Sequence, residues 1–353
     1  MTQCKAVCIA ALLLGQLGCA GEVREETQQT TAGGTGSIGT GPTSPSPTDP
    51  DAPDDADTTS TDGSSGESGA GDEDPLLDVG APDGPGPKTG TGSDLGCEFI
   101  DVLFVVDISA SMSQERANLA ANFPGFVSVL DDYVENNGAL GYRVGVTNSS
   151  INGTYGSCDT TMGLDGTLVS WGGGLFEMGD CGTGGTPWLD GPAAGLSENF
   201  SCLAENPIPM ANTLSDCGAE RPLGTMERFI DKVAPGADND GFYRGEESLL
   251  VVINLTDEDE DSTYTDTSPA QTKAALDAFA GGEERYVAVT IAGPVDCESA
   301  FGSADEAAVL QEFTDLVPAG YFGNICEGDL ADSLAQALEL IQSSCDALPP
   351  PEG

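Results

Sequence analysis

Continuous apolar runs and helically spaced apolar positions alternate through the second part of this chain. The run Val102-Leu-Phe-Val-Val106 has no polar interruption, and neither has Tyr286-Val-Ala-Val-Thr-Ile291 apart from one threonine. Ser248-Leu-Leu-Val-Val-Ile-Asn-Leu-Thr256 is of the same kind. Such runs predict strands buried on both faces, as in parallel sheets. Weaker strands are expected at Gly141–Thr147 and near Tyr321–Gly323. Between them the spacing changes to that of helices. From about Ser113, residues Leu119, Phe123, Phe126, Val127, Leu130 and Val134 fall on one stripe, with Pro124 expected to kink the helix or divide it. Pro222 suits the first turn of a helix carrying Leu223, Met226, Phe229 and Ile230. Further helices are expected at Pro269–Ala280, Ala304–Leu316 and Asp329–Ser343, the last with Leu330, Leu334, Ala337, Leu338 and Ile341 on one side. Strand and helix in alternation predict an α/β fold: a doubly wound, mostly parallel sheet with helices on both faces.

Residues 148–219 break this rhythm. They hold many glycines, four cysteines, Trp171 and Trp188, with Thr167–Trp171 as a short strand at most. A disulfide-stapled insertion at the ligand end of the sheet is expected, with both tryptophans packing beneath it. Residues 1–19 read as a signal peptide: Lys5, an apolar run too short to span a membrane, then Leu17-Gly18-Cys19. Residues 20–96 are rich in Gly, Ser, Thr, Pro and Asp, with 16 acidic residues against Arg24 and Lys88. Such a segment buries too little apolar surface to offset its ordering entropy, and is expected to be a disordered linker. Its Asp-rich centre, Asp49 to Asp57, reads as a solvated charge run. The folded domain is expected over 97–346, followed by a tail, 347–353.

Charge narrows the function. The 353 residues include 59 acidic and 11 basic ones, a net charge of −48, and no histidine. That balance argues against nucleic acid or an anionic membrane surface as a partner and suits divalent cations. The lack of histidine excludes Ser-His-Asp and Cys-His catalysis and histidine metal sites. Any metal must be held by carboxylates, hydroxyls, carbonyls and water.

Of the eleven cysteines, Cys4, Cys8 and Cys19 lie in the first twenty residues. The other eight (Cys97, Cys158, Cys181, Cys202, Cys217, Cys297, Cys326 and Cys345) lie in the folded part. With no Cys-x-x-Cys pair among them, disulfides in an exported protein are expected rather than zinc. Connectivity is not written in the sequence. Pairing near neighbours joins Cys158 to Cys181, Cys202 to Cys217 and Cys297 to Cys326, leaving Cys97 and Cys345 to clip the ends of the domain together.

The first buried strand runs into Asp107-Ile-Ser109-Ala-Ser111, and a helix follows. Three oxygen side chains alternate in a loop at the carboxyl end of a strand, where open α/β sheets bind ligands, and a hard cation takes oxygen ligands. The plainer alternative is a polar turn with Ser113 as helix N-cap. The stretch resembles the metal-ion-dependent adhesion site of a von Willebrand factor type A (VWA) domain. Asn254-Leu-Thr-Asp257 resembles that family's strand-Thr-Asp element, which implies a metal role for Asp257. The family's second loop supplies a threonine before a helix; here that register falls on Glu220, with Thr225 and Thr186 as other candidates. A glutamate there would favour Ca²⁺ over Mg²⁺. Asp259 and Asp261 could hold a second cation. Asp238-Asn-Asp240-Gly241 with Glu247 has part of an EF-hand's spacing but lacks the first carboxylate, and reads as a turn.

Likewise, Leu17-Gly18-Cys19 resembles a bacterial lipobox, although Gln16 departs from it. That resemblance implies lipidation at Cys19 and a membrane contact only through the lipid anchor, in the cell envelope, with the outer membrane preferred. The VWA resemblance covers roughly residues 97–345. It implies a surface-tethered, non-enzymatic module that captures a protein ligand's carboxylate through Mg²⁺ or Ca²⁺. A structural envelope protein with a fold-bracing metal is the alternative. A metal-dependent hydrolase ranks below both, since neither a Gly-x-Ser-x-Gly nor a phosphate-binding loop occurs.

Overall fold

The computed structural model describes residues 96–349 apart from 156–157, 173–178, 206, 209–218, 262, 264–266 and 329. The expected signal peptide with Cys19, the acidic linker up to residue 95, and Cys217 lie outside the described residues. Six strands make the central sheet: β1 (Phe99–Val106), β2 (Gly141–Asn148), β3 (Leu189–Gly191), β4 (Ser248–Leu255), β5 (Tyr286–Ala292) and β6 (Gly320–Asn324). Their order is β6-β5-β4-β1-β2-β3. All neighbours run parallel except β3, which pairs antiparallel with β2. Among the described residues six α-helices accompany them: α1 (Ser113–Asn137), α2 (Leu196–Glu205), α3 (Pro222–Lys232), α4 (Pro269–Ala280), α5 (Ala308–Leu316) and α6 (Ala331–Ala347).

The alternation of side chains along β1 explains the two layers. Ile100, Val102, Phe104 and Val106 enter one core with α1, α2 and α6. Leu103 and Val105 enter the other, with α3, α4 and α5. Both cores are buried and apolar, so an uninterrupted apolar run is what the strand requires. On the first side Phe104 meets Phe123 of α1 edge-on at 5.9 Å and Phe200 of α2 at 4.9 Å.

Several elements depart from the sequence expectation. Pro124 does not divide α1, which is one continuous 25-residue helix. The proline lies on the exposed face, where water can serve the carbonyl that lacks its N–H partner. Buried Met112, not Ser113, takes the N-cap position. Residues 148–219 are not all loop. They supply edge strand β3 and helix α2, whose Leu196, Phe200 and Leu203 are core residues. Of Thr167–Trp171 only Trp171 is strand, paired with Asp180 in a short hairpin, and Val169 N–H donates to Val146 O at 3.0 Å. Helix α5 starts at Ala308, because Gly302–Ala304 pairs with Cys297–Ser299 in a hairpin.

Three disulfides are present among the described residues. Cys97–Cys345 and Cys297–Cys326 join the expected partners. Cys181, however, bonds to Cys202, which overturns both Cys158–Cys181 and Cys202–Cys217. The reason is tertiary. Helix α2 lays Cys202 against the strand pair Trp171–Gly172 and Gly179–Asp180, directly before Cys181. Both tryptophans pack: Trp188 is buried edge-on to Phe242, and Trp171 Nε1 donates to Ile208 O at 2.8 Å.

At the opposite end of β1 from the Asp107 loop, fully buried Asp101 accepts from Arg244 Nε (2.9 Å), Nη2 (2.5 Å) and N (2.9 Å), and from Ser248 Oγ (2.6 Å). The guanidinium also lies 4.0 Å over the Phe99 ring. This ion pair locks the start of β1 to the approach to β4. Removing one partner would strand a buried charge, so Arg244→Ala should destabilise the domain by about 3–5 kcal/mol. Chemical denaturation of the two proteins checks this, and an unchanged midpoint would refute it.

Candidate functional site

The chain leaves β1 toward β2 on one side, and adds β4, β5 and β6 on the other. The direction of winding therefore reverses between β1 and β4. The crevice outside the carboxyl ends of two such strands is the usual ligand position in open α/β sheets. Val106 pairs with Leu255, so Asp107 and Thr256 leave the two strands side by side. Asp107 N–H donates to Leu255 O at 2.9 Å.

Here the structure brings together Asp107, Ser109, Ser111 and Asp257. Asp107 Oδ1 accepts the Ser109 N–H at 2.7 Å, and Oδ2 accepts the Thr256 hydroxyl at 2.9 Å. The Ser109 and Ser111 hydroxyls are 2.9 Å apart. Ser109 Oγ lies 3.4 Å from Asp257 Oδ1. Asp107 and Asp257 are buried, Ser109 is half-buried and Ser111 exposed. The arrangement is a carboxylate floor with a hydroxyl mouth.

This floor is short of positive charge. Among the described residues neither Asp107 nor Asp257 is in an ion pair. The nearest cation, Arg116, spends its Nη1 on the carbonyls of Asp107 and Ser109, both at 3.1 Å. Burial pushes the Asp107 carboxyl up to about 7, and the neighbouring Asp257 charge adds to this against the Ser109 N–H and the Thr256 hydroxyl. A divalent ion bound at these oxygens would relieve that strain, and hard oxygen donors are what Mg²⁺ and Ca²⁺ take. Among the described residues no cluster of three or more acidic or cysteine side chains could hold a metal by itself. The donor set here is two carboxylates and two hydroxyls, which fits such an ion with hydroxyls and water completing the shell.

Glu220 is buried at the same edge of the sheet. Its Oε2 accepts the Ser149 hydroxyl, and its carbonyl accepts the Asp261 N–H at 2.7 Å. Ser149 in turn donates its N–H to Val106 O at 3.2 Å, one residue before Asp107. Glu220 therefore reaches the site's edge through Ser149. The other candidates lie elsewhere. Thr186 Oγ1 is 3.0 Å from the carbonyls of Thr183 and Trp188, within its own turn. Thr225 is wholly buried in α3.

The acidic run after β4 divides its labour. Asp259 is turned toward α5. Its two oxygens accept Val309 N–H at 2.9 Å and Leu310 N–H at 3.1 Å, capping α5. Glu260 Oε2 accepts Leu223 N–H at 2.7 Å and caps α3. Asp261 Oδ1 closes a turn with Thr263 N–H at 2.8 Å. Carboxylates suit helix N-termini, where free amides and the helix dipole favour negative charge. The Asp238–Gly241 stretch is a turn as expected: Asp238 pairs with Lys232 at 2.7 Å, which holds its carboxyl below the usual range, and Asp240 accepts Gly236 N–H at 2.7 Å.

Sequence reasoning missed three residues. Thr256 orients Asp107, Arg116 pins the loop carbonyls, and Glu115 is a buried acid behind the site. The adjacency of Thr256 to Asp257 and the scarcity of basic residues were the available signals for the first two. Glu115 falls in the first turn of α1, where an acid is usual, so nothing in its type marks it out.

Two measurements follow. In chelator, the domain should lose stability as pH rises from 3.8 to about 7, because the unfolded chain gives up the Asp107 proton before the folded one does. Asp107→Asn should flatten that slope in thermal melts and match the parent at the acid end. Separately, Asp259→Ala should destabilise by about 0.5–2 kcal/mol through loss of the α5 cap, with divalent-ion affinity unchanged.

No protein-family model matches this sequence, and no curated protein matches it. Among solved structures it is similar to proximal thread matrix protein 1 of the mussel byssus, at 13% identity and a TM-score of 0.39, over 70% of this chain and 49% of that one. It is also similar to the pilus adhesin SpaC of Lactobacillus rhamnosus GG, at 12% identity and a TM-score of 0.38, over 71% of this chain and 32% of that one. The chain spans less than half the length of either. At such scores the functional reading rests on the geometry alone.

Proposed function

We infer that this chain is a non-enzymatic binding module, in which Asp107, Ser109, Ser111 and Asp257 hold a Mg²⁺ or Ca²⁺ ion that captures a carboxylate of a protein partner. The observation that carries this reading is the convergence of four oxygen side chains from two loops at the point where the sheet reverses its winding. The buried acids supply charge, and the exposed hydroxyl side leaves room for a ligand. Bound there, the ion would supply an electrophilic position for a partner's carboxylate. The protein's part is to orient the floor: Thr256 and the Ser109 N–H fix the two Asp107 oxygens, and Arg116 holds the loop.

An enzyme is disfavoured because the chain has no histidine to act as base and neither a Gly-x-Ser-x-Gly nor a phosphate-binding loop. Three disulfides fit export to an oxidising compartment, and a lipid on Cys19 would tether the module to the cell envelope. Among the described residues no helix is long and apolar enough to cross a membrane. Glu220 would stand at or just outside the ion's shell.

Isothermal titration of the whole chain with Mg²⁺ and with Ca²⁺ tests this. Saturable binding that disappears in Asp107→Ala and in Asp257→Ala is expected, as is weaker binding in Glu220→Ala. A glutamate-containing peptide should then bind only with the ion present. Equal ion binding by parent and Asp107→Ala would overturn the metal assignment. Ion binding that raises the melting temperature without recruiting the peptide would leave a fold-bracing metal in its place.

A further inference from the structure

The two edges of the central sheet are built differently. β3 is three residues long, holds Asp190 in an ion pair with Arg143, and runs directly into Pro192. Shortness, charge and proline are the usual means by which a sheet edge keeps other strands from joining it. β6, at the other edge, has none of them. It is five residues long, and no charged residue occurs from Leu316 to Cys326.

The main chain of β6 is half used. Ala288 N–H donates to Ala319 O at 3.1 Å, and Ile325 N–H donates to Ala292 O at 3.0 Å. By the alternation of a parallel ladder, Tyr321 and Gly323 turn their amides and carbonyls toward β5 as well. Gly320 and Phe322 then turn theirs outward. Among the described residues nothing donates to or accepts from the main chain of either. Asn324 faces the same way, but its carbonyl accepts the Glu327 N–H at 3.1 Å.

The side chains also end unfinished. Every residue of β4 and β5 is buried, whereas Gly320, Tyr321, Phe322 and Asn324 are half-buried. Tyr321 packs on one core and Phe322 on the other. Both cores therefore run out to this edge, and a further strand would cover them.

Charge selects what that strand can be. From Tyr286 to Gly353, a stretch that holds β5, α5, β6 and α6, the chain has twelve acidic residues and no basic one. Asp315 and Glu327 are exposed at the two ends of the uncharged stretch. A second copy of the chain would bring the same sign, at a net charge of −48. A segment of opposite charge is drawn in, and like charges are turned away.

We propose that β6 is a docking edge for an extended, lysine- or arginine-rich segment of a partner protein, which joins the sheet through the main chain of Gly320 and Phe322. The main-chain bonds hold the segment, and the acidic surroundings choose its sign. This surface is separate from the ion site, since β5 and β4 stand between β6 and β1.

The test uses the whole chain in chelator, so that a failure of the metal assignment cannot affect it. The probe is a fluorescent Lys-Val-Lys-Val-Lys-Val peptide. It should bind, with affinity falling as salt rises, and Glu-Val-Glu-Val-Glu-Val should not. The lysine peptide with every amide N-methylated keeps its charge and side chains but cannot pair as a strand. It should bind at least about tenfold more weakly. Hydrogen exchange read by NMR should slow at the Gly320 and Phe322 amides when the unmodified peptide is added. Phe322→Pro removes an outward N–H and leaves the ladder to β5 intact, and should weaken binding by a similar factor. Equal binding of the methylated and unmodified peptides would show general charge attraction and overturn the proposal. Unchanged exchange at Gly320 and Phe322 would overturn it too, as would a folded Phe322→Pro protein that binds as the parent does. Protection of those two amides on raising protein concentration without peptide would assign the edge to a second copy and overturn it as well.

Discussion

The fold depends on one strand being wanted on both sides. β1 pairs in parallel with β2 and β4, and its side chains fill two separate apolar cores. Its one charged residue, Asp101, is ion-paired with Arg244 and accepts a hydrogen bond from Ser248 at the end away from the site. Pinned at that end and paired along its length, β1 has a fixed exit. Asp107 leaves it in the one crevice where the winding of the sheet reverses. The chemistry of the loop follows from that placement, since Thr256 leaves β4 in register with it and meets its second oxygen.

Placement also explains why neighbouring acids differ. Asp257, Asp259 and Glu260 follow one another closely after β4. Asp257 faces the floor of the site, Asp259 caps α5, and Glu260 caps α3. Helix amides absorb two of the charges as hydrogen-bond acceptors. The floor keeps its own charge unpaired, and for Asp107 the result is a carboxyl that holds its proton toward neutrality. An acid cluster without a cation is a tense arrangement in any fold.

The disulfides act on the parts that the sheet does not order. Cys97–Cys345 closes the ends of the domain, across a sequence separation of 248. Cys181–Cys202 fastens α2 to the irregular stretch before it, and Cys297–Cys326 ties the hairpin at residues 297–304 to the turn after β6. The second of these defeats near-neighbour pairing, because α2 turns its cysteine back toward residue 181 once Phe200 has entered the core with Phe104.

The sequence by itself determined the layers. Uninterrupted apolar runs such as Val102–Val106 cannot sit at a half-wet surface, and the stripe from Leu119 to Leu130 needs a core on one side only. These local patterns gave strand, helix and the doubly wound order, and they placed Asp107, Ser109, Ser111 and Asp257 at strand exits. What the tertiary structure decided were the matters of partnership. Pro124 could stay in α1 only because that face of the helix meets water. The role of each acid after β4 depends on which helix N-terminus lies opposite, and the sequence does not state that. Glu115 has the spacing of a core position, but its meaning comes from a hairpin nearly two hundred residues later that closes over it. Spacing along the chain encodes which face a residue takes; only packing decides what that face meets.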